Sequence, residues 1–284
     1  MATFTNQAFL SYRNNITPSN IVTGEIREVL TAAKTAVTET YVAGDTVTYV
    51  ISLINTGSTA LTGITVTDDL GAYPFGTGTV VPLDYTEDSV RYFVNGALQP
   101  APTVSEASPL TVTGLSLPAG GSGLLIYETT ANSFAPLGTD STIVNTATIT
   151  GTGVPTPITV TETVTAVSAA FLTITKAISP VSVTDNETLT YTFVIRNFGN
   201  TATVATDDVT VTDTFDPILN PITVSLDGTV LTEGTDYTYD ESTGAFSTVP
   251  GRITVPAATY TQDPTTGEWN VEPGSVTLTV VGTV

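Results

Sequence analysis

Only two of the seven basic residues are lysines, Lys34 and Lys176. A lysine kept for solubility would not be so restricted. In LTITK, strand alternation puts Leu172, Ile174 and Lys176 on one side, opposite Thr173 and Thr175. Acids are placed the same way: in ITVTD, Ile64, Val66 and Asp68 share the apolar face while Asp69 falls on the outer one, and Val209, Val211 and Asp213 repeat the pattern. Asparagines follow suit. Ile143, Asn145, Ala147 and Ile149 align in IVNTATI, and Phe4, Asn6, Ala8 and Leu10 align in FTNQAFL. An amine, a carboxyl and a carboxamide are thus aimed at an apolar core twice over, as Lys34, Asp68 and Asn145 and as Lys176, Asp213 and Asn6.

Such a trio must satisfy itself, because an unpaired buried charge is costly. Desolvation lowers a lysine pKa and raises an aspartate pKa, by up to ~3–5 units at full burial. A neutral amine beside a protonated carboxyl is the state that attacks a carboxamide. Lysine is then the nucleophile, aspartate polarises the amide oxygen and shuttles protons, and ammonia leaves. Holding the reactants in contact contributes up to ~7–11 kcal/mol. The product is an isopeptide amide that neither reduction nor boiling detergent breaks. The competing arrangement is a hydrogen-bonded polar cluster with no bond formed, or a lysine that snorkels past the sheet edge.

The elements that carry these residues are strands. Val and Thr alternate in runs such as VTVTDT and ITVTETVT, cut about every ten residues by Gly, Pro, Asn or Asp. No amphipathic helix is evident, and the expected class is all-β, built of β-sandwiches. Two repeats organise the 284 residues. Val29 to Gly57 matches Phe171 to Gly199 with Lys34 on Lys176, Tyr49 on Tyr191, Asn55 on Asn197 and Gly57 on Gly199, each pair 142 positions apart. After a small insertion, Asp68 aligns with Asp213. The first repeat closes with IVNTATITG, whereas the second runs through VTLTVVGTV to Val284 without such a strand. Its only counterpart is FTNQAFLSY, Phe4 to Tyr12, and Pro18 and Pro157 lie equally far past the two asparagines. The expected organisation is a donor strand at 1–15, a first sandwich at 16–166, and a second at 167–284. That second sandwich lacks its last strand, which the N-terminal strand of a neighbouring copy supplies.

The pattern of Lys34, GDTVTY, NTG, VTVTD and NTATIT resembles the conserved Ig-like repeat of bacterial surface proteins, a domain family without an assigned function. The likeness covers nearly the whole chain and is slightly worn in the second repeat, where DNETLTYTF stands for GDTVTY. It implies extracellular Ig-like β-sandwich modules strung as stalks. Related domains of Gram-positive adhesins and pilins contain spontaneous Lys–Asn isopeptide bonds, which matches the two trios here. The early residues are similar to the subunit starts of self-assembling bacterial appendage proteins.

Composition narrows the function further. A net charge of −20, spread as single acids, disfavours nucleic acid and anionic membrane surfaces. With no Cys and no His, disulfides, thiolate nucleophiles, ordinary zinc sites and His relays are excluded. Asp207 and Asp208 lack EF-hand-like spacing and read as solvated loop acids. No metal, cofactor or small-molecule substrate is expected, and turnover of an external substrate is not expected either. MATFTNQAFLSYRNN has no basic n-region before an apolar run and no segment approaches a membrane span. Release from a lysed mother cell, as for a spore-surface appendage, is one expectation; a removed signal is the other. A sandwich missing a strand exposes a sheet edge, and filling it from another copy is β-augmentation. Donor and acceptor are different surfaces of one chain, so the contact propagates into an open filament. The leading expectation is therefore an extracellular, head-to-tail homopolymeric filament subunit at a cell or spore surface. The alternative is an adhesin or surface-layer binding module cut from a longer array.

Overall fold

The computed structural model describes residues 2–26 and 28–284, and it is all-β apart from one 3-10 turn at Ala205–Asp207. Contacts divide the chain into two compact units, Met1–Ala135 with Thr142–Thr165, and Pro136–Ser141 with Ala166–Val284.

The chain opens with a ribbon of four short strands: β1 (Ala2–Asn6), β2 (Phe9–Tyr12), β3 (Asn15–Pro18) and β4 (Val22–Ile26). β1 pairs antiparallel with β4, and β2 with β3. Arg13 and Asn14 both have positive φ, 49° and 63°, which closes the hairpin as a two-residue turn whose twist suits the strands. The sequence suggested a single free strand at 1–15; here Asn15 begins β3, and residues 15–26 fold back along 2–12. Phe4, Asn6, Ala8 and Leu10 are all exposed.

The first unit continues through β5 (Leu30–Ala36), β6 (Thr40–Tyr41), β7 (Thr46–Asn55), β8 (Leu61–Asp68), β9 (Tyr73–Phe75), β10 (Gly78–Val80), β11 (Leu83–Tyr85), β12 (Arg91–Val94), β13 (Ala97–Leu98), β14 (Thr103–Ala107), β15 (Leu110–Leu117), β16 (Ser122–Ala131), β17 (Thr142–Thr152) and β18 (Ile158–Ala166). One sheet runs β13-β12-β16-β7-β5, with β11 also on β16; the other runs β14-β15-β8-β17-β18-β6. Alternation does the sorting. In TVTYVISLIN, Val47, Tyr49, Ile51 and Leu53 are fully buried, and Ile64, Val66 and Asp68 face them from β8. Each such aliphatic side chain contributes roughly 1.5–3 kcal/mol.

The second unit contains β19 (Leu172–Ser179), β20 (Thr188–Asn197), β21 (Thr212–Thr214), β22 (Ile222–Leu226), β23 (Thr229–Val230), β24 (Tyr237–Asp240), β25 (Ala245–Thr248), β26 (Thr259–Gln262), β27 (Trp269–Glu272) and β28 (Gly274–Thr283). Its larger sheet, β19-β20-β28-β22-β23, follows the same order as β5-β7-β16-β12-β13. Its smaller sheet, β21-β25-β24, corresponds to β8-β15-β14 and ends there. Among the described residues, nothing pairs with the free edge of β21, where β8 holds β17 and, beyond it, β18 and β6.

The Asn-x-Gly that ends β7 and β20 is a shared corner. Asn55 donates from Nδ2 to the carbonyls of Thr59 and Pro118 and accepts from the Gly57 N–H. Asn197 does the same with Thr201, Pro256 and Gly199, and also accepts from Phe171. A Cβ on Gly199 would lie 2.1 Å from the carbonyl oxygen of Ala169, so the corner closes only without a side chain there.

Candidate functional site

β5 and β8 lie in opposite sheets of the first unit, and their inward faces meet at Lys34 and Asp68. The Lys34 Nζ donates to Asp68 Oδ2 at 2.6 Å, with side chains 0% and 1% exposed. Tyr127, on β16, donates its hydroxyl to the same oxygen at 2.5 Å, and the Leu70 N–H donates to Oδ1 at 3.0 Å. Aromatic faces line the amine: Lys34 Nζ sits 4.7 Å from the centre of the Tyr49 ring, which stacks on Tyr127 at 5.7 Å.

Burial holds the Lys34 pKa below its ordinary value, outweighing the pull of Asp68 toward the charged form. The Tyr127 phenol is pushed well above the usual range, by burial first and the Asp68 charge second, so it stays a proton donor. Burial also raises Tyr49.

Asn145 is the expected third member. β17 pairs with β8 so that Ala147 lies opposite Asp68, two residues from Asn145 on the same face. Asp69 sets that alignment: its Oδ1 accepts from the N–H groups of Thr146 and Gly71, and its own N–H donates to the Thr146 carbonyl. Burial raises the Asp69 pKa, opposed by those same hydrogen bonds. The Asn145 side chain is fully buried, yet neither its Nδ2 nor its Oδ1 has a hydrogen-bond partner. The phenols of Tyr49 and Tyr127 adjoin the carboxamide without reaching hydrogen-bond geometry, and the Tyr49 hydroxyl is likewise buried and unpartnered. A buried unsatisfied polar group costs roughly 1–3 kcal/mol, so an orphan carboxamide at this place calls for a cause.

In the second unit Lys176 again donates to Asp213 Oδ2, and its Nζ lies 4.4 Å from the Tyr191 ring centre. The surroundings differ. Lys176 and Asp213 are 41% and 17% exposed, and every residue of β19 is exposed, including Leu172, Ile174 and Ile178. Sequence phase put Leu172, Ile174 and Lys176 toward a core; among the described residues, no strand covers that side. Asn6, the expected third member, lies on β1 opposite Val22.

Tyr127, Tyr49 and Asp69 are contributors that sequence reasoning passed over. Tyr49 alternates in phase with Ile51 and Leu53 and so reads as core. Tyr127 is singled out only by register: it pairs with Tyr49, whereas the residue paired with Tyr191 is Val280. The second site therefore has no phenol where the first has one.

No family model and no curated protein sequence matches the chain. Solved structures that resemble it include a variant of BcpA, the major pilin subunit of Bacillus cereus, at 10% identity and a TM-score of 0.39, covering 96% of this chain and 73% of that one. The pilus backbone RrgB of Streptococcus pneumoniae matches at 11% and 0.33, covering 86% and 55%. The collagen adhesin of S. aureus matches at 13% and 0.32, covering 53% and 55%. This chain spans about half the length of the last two. Likeness so slight assigns no family, and what those proteins build or bind is theirs alone. Among the described residues, no helix is long and apolar enough to cross a membrane.

Proposed function

We propose that this chain is a structural subunit of an extracellular filament on a cell or spore surface, made of Ig-like sandwiches and polymerised head-to-tail by donor-strand complementation. The observation that carries it is the unequal closure of two equivalent sheets. β8 is paired on both edges and Lys34 is sealed, whereas β21 is paired on one edge and Lys176 is open to solvent. A free edge beside an exposed apolar face is an association surface. The segment in phase with the missing strand is Phe4 to Leu10 of another copy.

Covalent capture follows docking. Within a chain, a proton passes from Lys34 to Asp68, the amine attacks the Asn145 carboxamide carbon, and the C–N bond of the amide breaks. Asp68 gives that proton to the departing nitrogen, which leaves as ammonia, and takes the second proton of the attacking nitrogen, so that a neutral amide joins Lys34 to Asn145 and Asp68 ends protonated. The lowered Lys34 pKa and the unpartnered Asn145 carboxamide support this reading. Between chains, Lys176, Asp213 and Asn6 of the next copy perform the same single turnover. No external substrate or cofactor takes part.

Filaments boiled in detergent test it. The wild type should run as a ladder spaced by one subunit, with Lys176 joined to Asn6 in peptide maps. Asn6→Ala, Lys176→Ala and Asp213→Ala filaments should each fall to monomer, while Asn14→Ala keeps the ladder. Leu10→Asp, which places a charge in the apolar face, should stop assembly altogether. A wild-type filament that boils down to monomer removes the intermolecular bond. A chain that never polymerises removes the filament and leaves a module of a longer array.

A further inference from the structure

The ribbon at the start of the chain and the β17–β18 hairpin are the same device. Each is an antiparallel pair, each carries Asn at the same phase, and each leads into the first strand of the next repeat, β5 or β19. In the first unit both strands of the hairpin are used. β17 pairs with β8 while β18 pairs with β6, and the Thr165 N–H donates to the Glu39 carbonyl at 2.9 Å. Val181, Ser182 and Val183 are the repeat counterparts of Glu39, Thr40 and Tyr41. Val181 is 86% exposed, and none of the three belongs to a strand. The second unit is therefore short of two strands and of the partner that would order this segment.

We propose that the group donated to the second unit is the entire ribbon, residues 2–26 of a second copy, rather than one strand. This rests on the donor-strand reading above and specifies its occupant. Register carries over from the first unit, where Ala147 faces Asp68 and Ile149 faces Val66. The inner strand, β1 with β2, then lies on β21 with Ala8 opposite Asp213 and Leu10 opposite Val211. Thr3 is the counterpart of Thr142, and Thr3 pairs with Glu25 as Thr142 pairs with Thr165. Glu25 of the outer strand thus takes the place of Thr165 and donates its N–H to the Val181 carbonyl, drawing 181–183 into a strand. The apolar surfaces match this closure. Phe4, Phe9, Leu10, Ile21 and Val22 are exposed on the ribbon, as are Leu172, Ile174 and Val181 on the acceptor.

The ribbon also carries a device that the internal hairpin lacks. Ser19, Asn20 and Ile21 oppose only Gln7 and Ala8, a bulge on the outer strand. Ser19 holds it: its Oγ accepts from the Ala8 N–H at 3.0 Å, its N–H donates to the Ala8 carbonyl at 2.8 Å, and its carbonyl accepts from Gln7 Nε2. The bulge keeps the extra residue off the inner strand, so Asn6, Ala8 and Leu10 stay in phase for β21.

The chain has no cysteine, so engineered disulfides report contacts cleanly. Full-length chains carrying Asn6→Ala, which docks without the covalent bond, receive either Leu10→Cys with Val211→Cys or Glu25→Cys with Val181→Cys. Oxidised filaments of both kinds should give subunit ladders on non-reducing gels. A ladder from the inner pair alone means a single-strand donor, which overturns this inference and leaves the proposed function standing. Filaments that persist with neither pair cross-linked remove both. Hydrogen exchange on the wild type decides the matter if a cysteine pair blocks assembly: amides of 181–183 should become protected in filaments, and unchanged exchange there overturns the two-stranded donor.

Discussion

Lys34 and Lys176 occupy equivalent positions on β5 and β19, contact equivalent aspartates and lie over equivalent tyrosines, yet one side chain is 0% exposed and the other 41%. The difference lies in the opposite sheet. β17 lies beside β8 and completes the cover over Lys34, while among the described residues β21 carries no such neighbour. A Lys–Asp pair is thus fully buried in one unit and a solvent-screened ion pair in the other. The chemistry of a lysine depends on what a partner strand excludes from it.

The largest contrast should come from the lysines themselves. Lys34→Ala removes the buried partner of Asp68, and the internal cross-link with it, and should destabilise the first unit by about 3–5 kcal/mol. Lys176→Ala in the isolated subunit should cost only ~0–1 kcal/mol, because that pair is exposed. Denaturant titration of the two variants measures this, and equal losses would break the comparison. The intact mass of Lys34→Ala should also fall by less than the substitution alone explains, the shortfall being one ammonia retained. A wild type of unmodified mass has no internal bond.

Tyr127 sharpens the same contrast. Tyr127→Phe removes the phenol that donates to Asp68, and a hydrogen bond to a charged group is worth about 1.5–3 kcal/mol. The internal bond should still form, but more slowly after synthesis, as followed by the mass of freshly made chains over time. A change in stability without any change in that rate would make Tyr127 purely structural.

Where the units do not differ, neither should the variants. Asn55 and Asn197 hold the same corner by three equivalent bonds, to which Asn197 adds one from the Phe171 N–H. Asn55→Ala and Asn197→Ala should cost similar amounts, roughly 1–3 kcal/mol each for the carbonyls and N–H groups they strand. A corner that matters in one unit alone would show up as unequal denaturation midpoints.

The smallest loss belongs to Tyr49→Phe, where none is expected. Its hydroxyl is buried without a partner, so removing it should leave stability unchanged or raise it, by no more than the roughly 1–3 kcal/mol that such a group costs. A clear loss would show that this hydroxyl makes a hydrogen bond in solution.

Much of the site was legible without coordinates. Two lysines in 284 residues, spaced by a repeat, pointed to Lys34 and Lys176, and period-2 alternation put Asp68 and Asn145 on the same inner face. Tyr127 was not legible, because an in-phase tyrosine on β16 looks like any core residue until strand register sets its hydroxyl against Asp68. The ribbon was missed for a related reason: the match to IVNTATITG showed one strand, while its pairing with 15–26 depends on a turn at Arg13–Asn14 and a bulge at Ser19–Ile21.

Side-chain period is a local property of an extended backbone, so the sequence by itself determined which face each of these residues takes. Leu172, Ile174 and Lys176 share a face on any strand that LTITK can form. Whether that face is a core or a surface is not local, since it depends on a second strand brought from elsewhere in the chain or from another chain. Only the tertiary structure decided that β17 covers Lys34 and that nothing within the described chain covers Lys176. Burial lowers the pKa of the first amine and solvent screens the second, because desolvation is set by neighbours in space rather than in sequence.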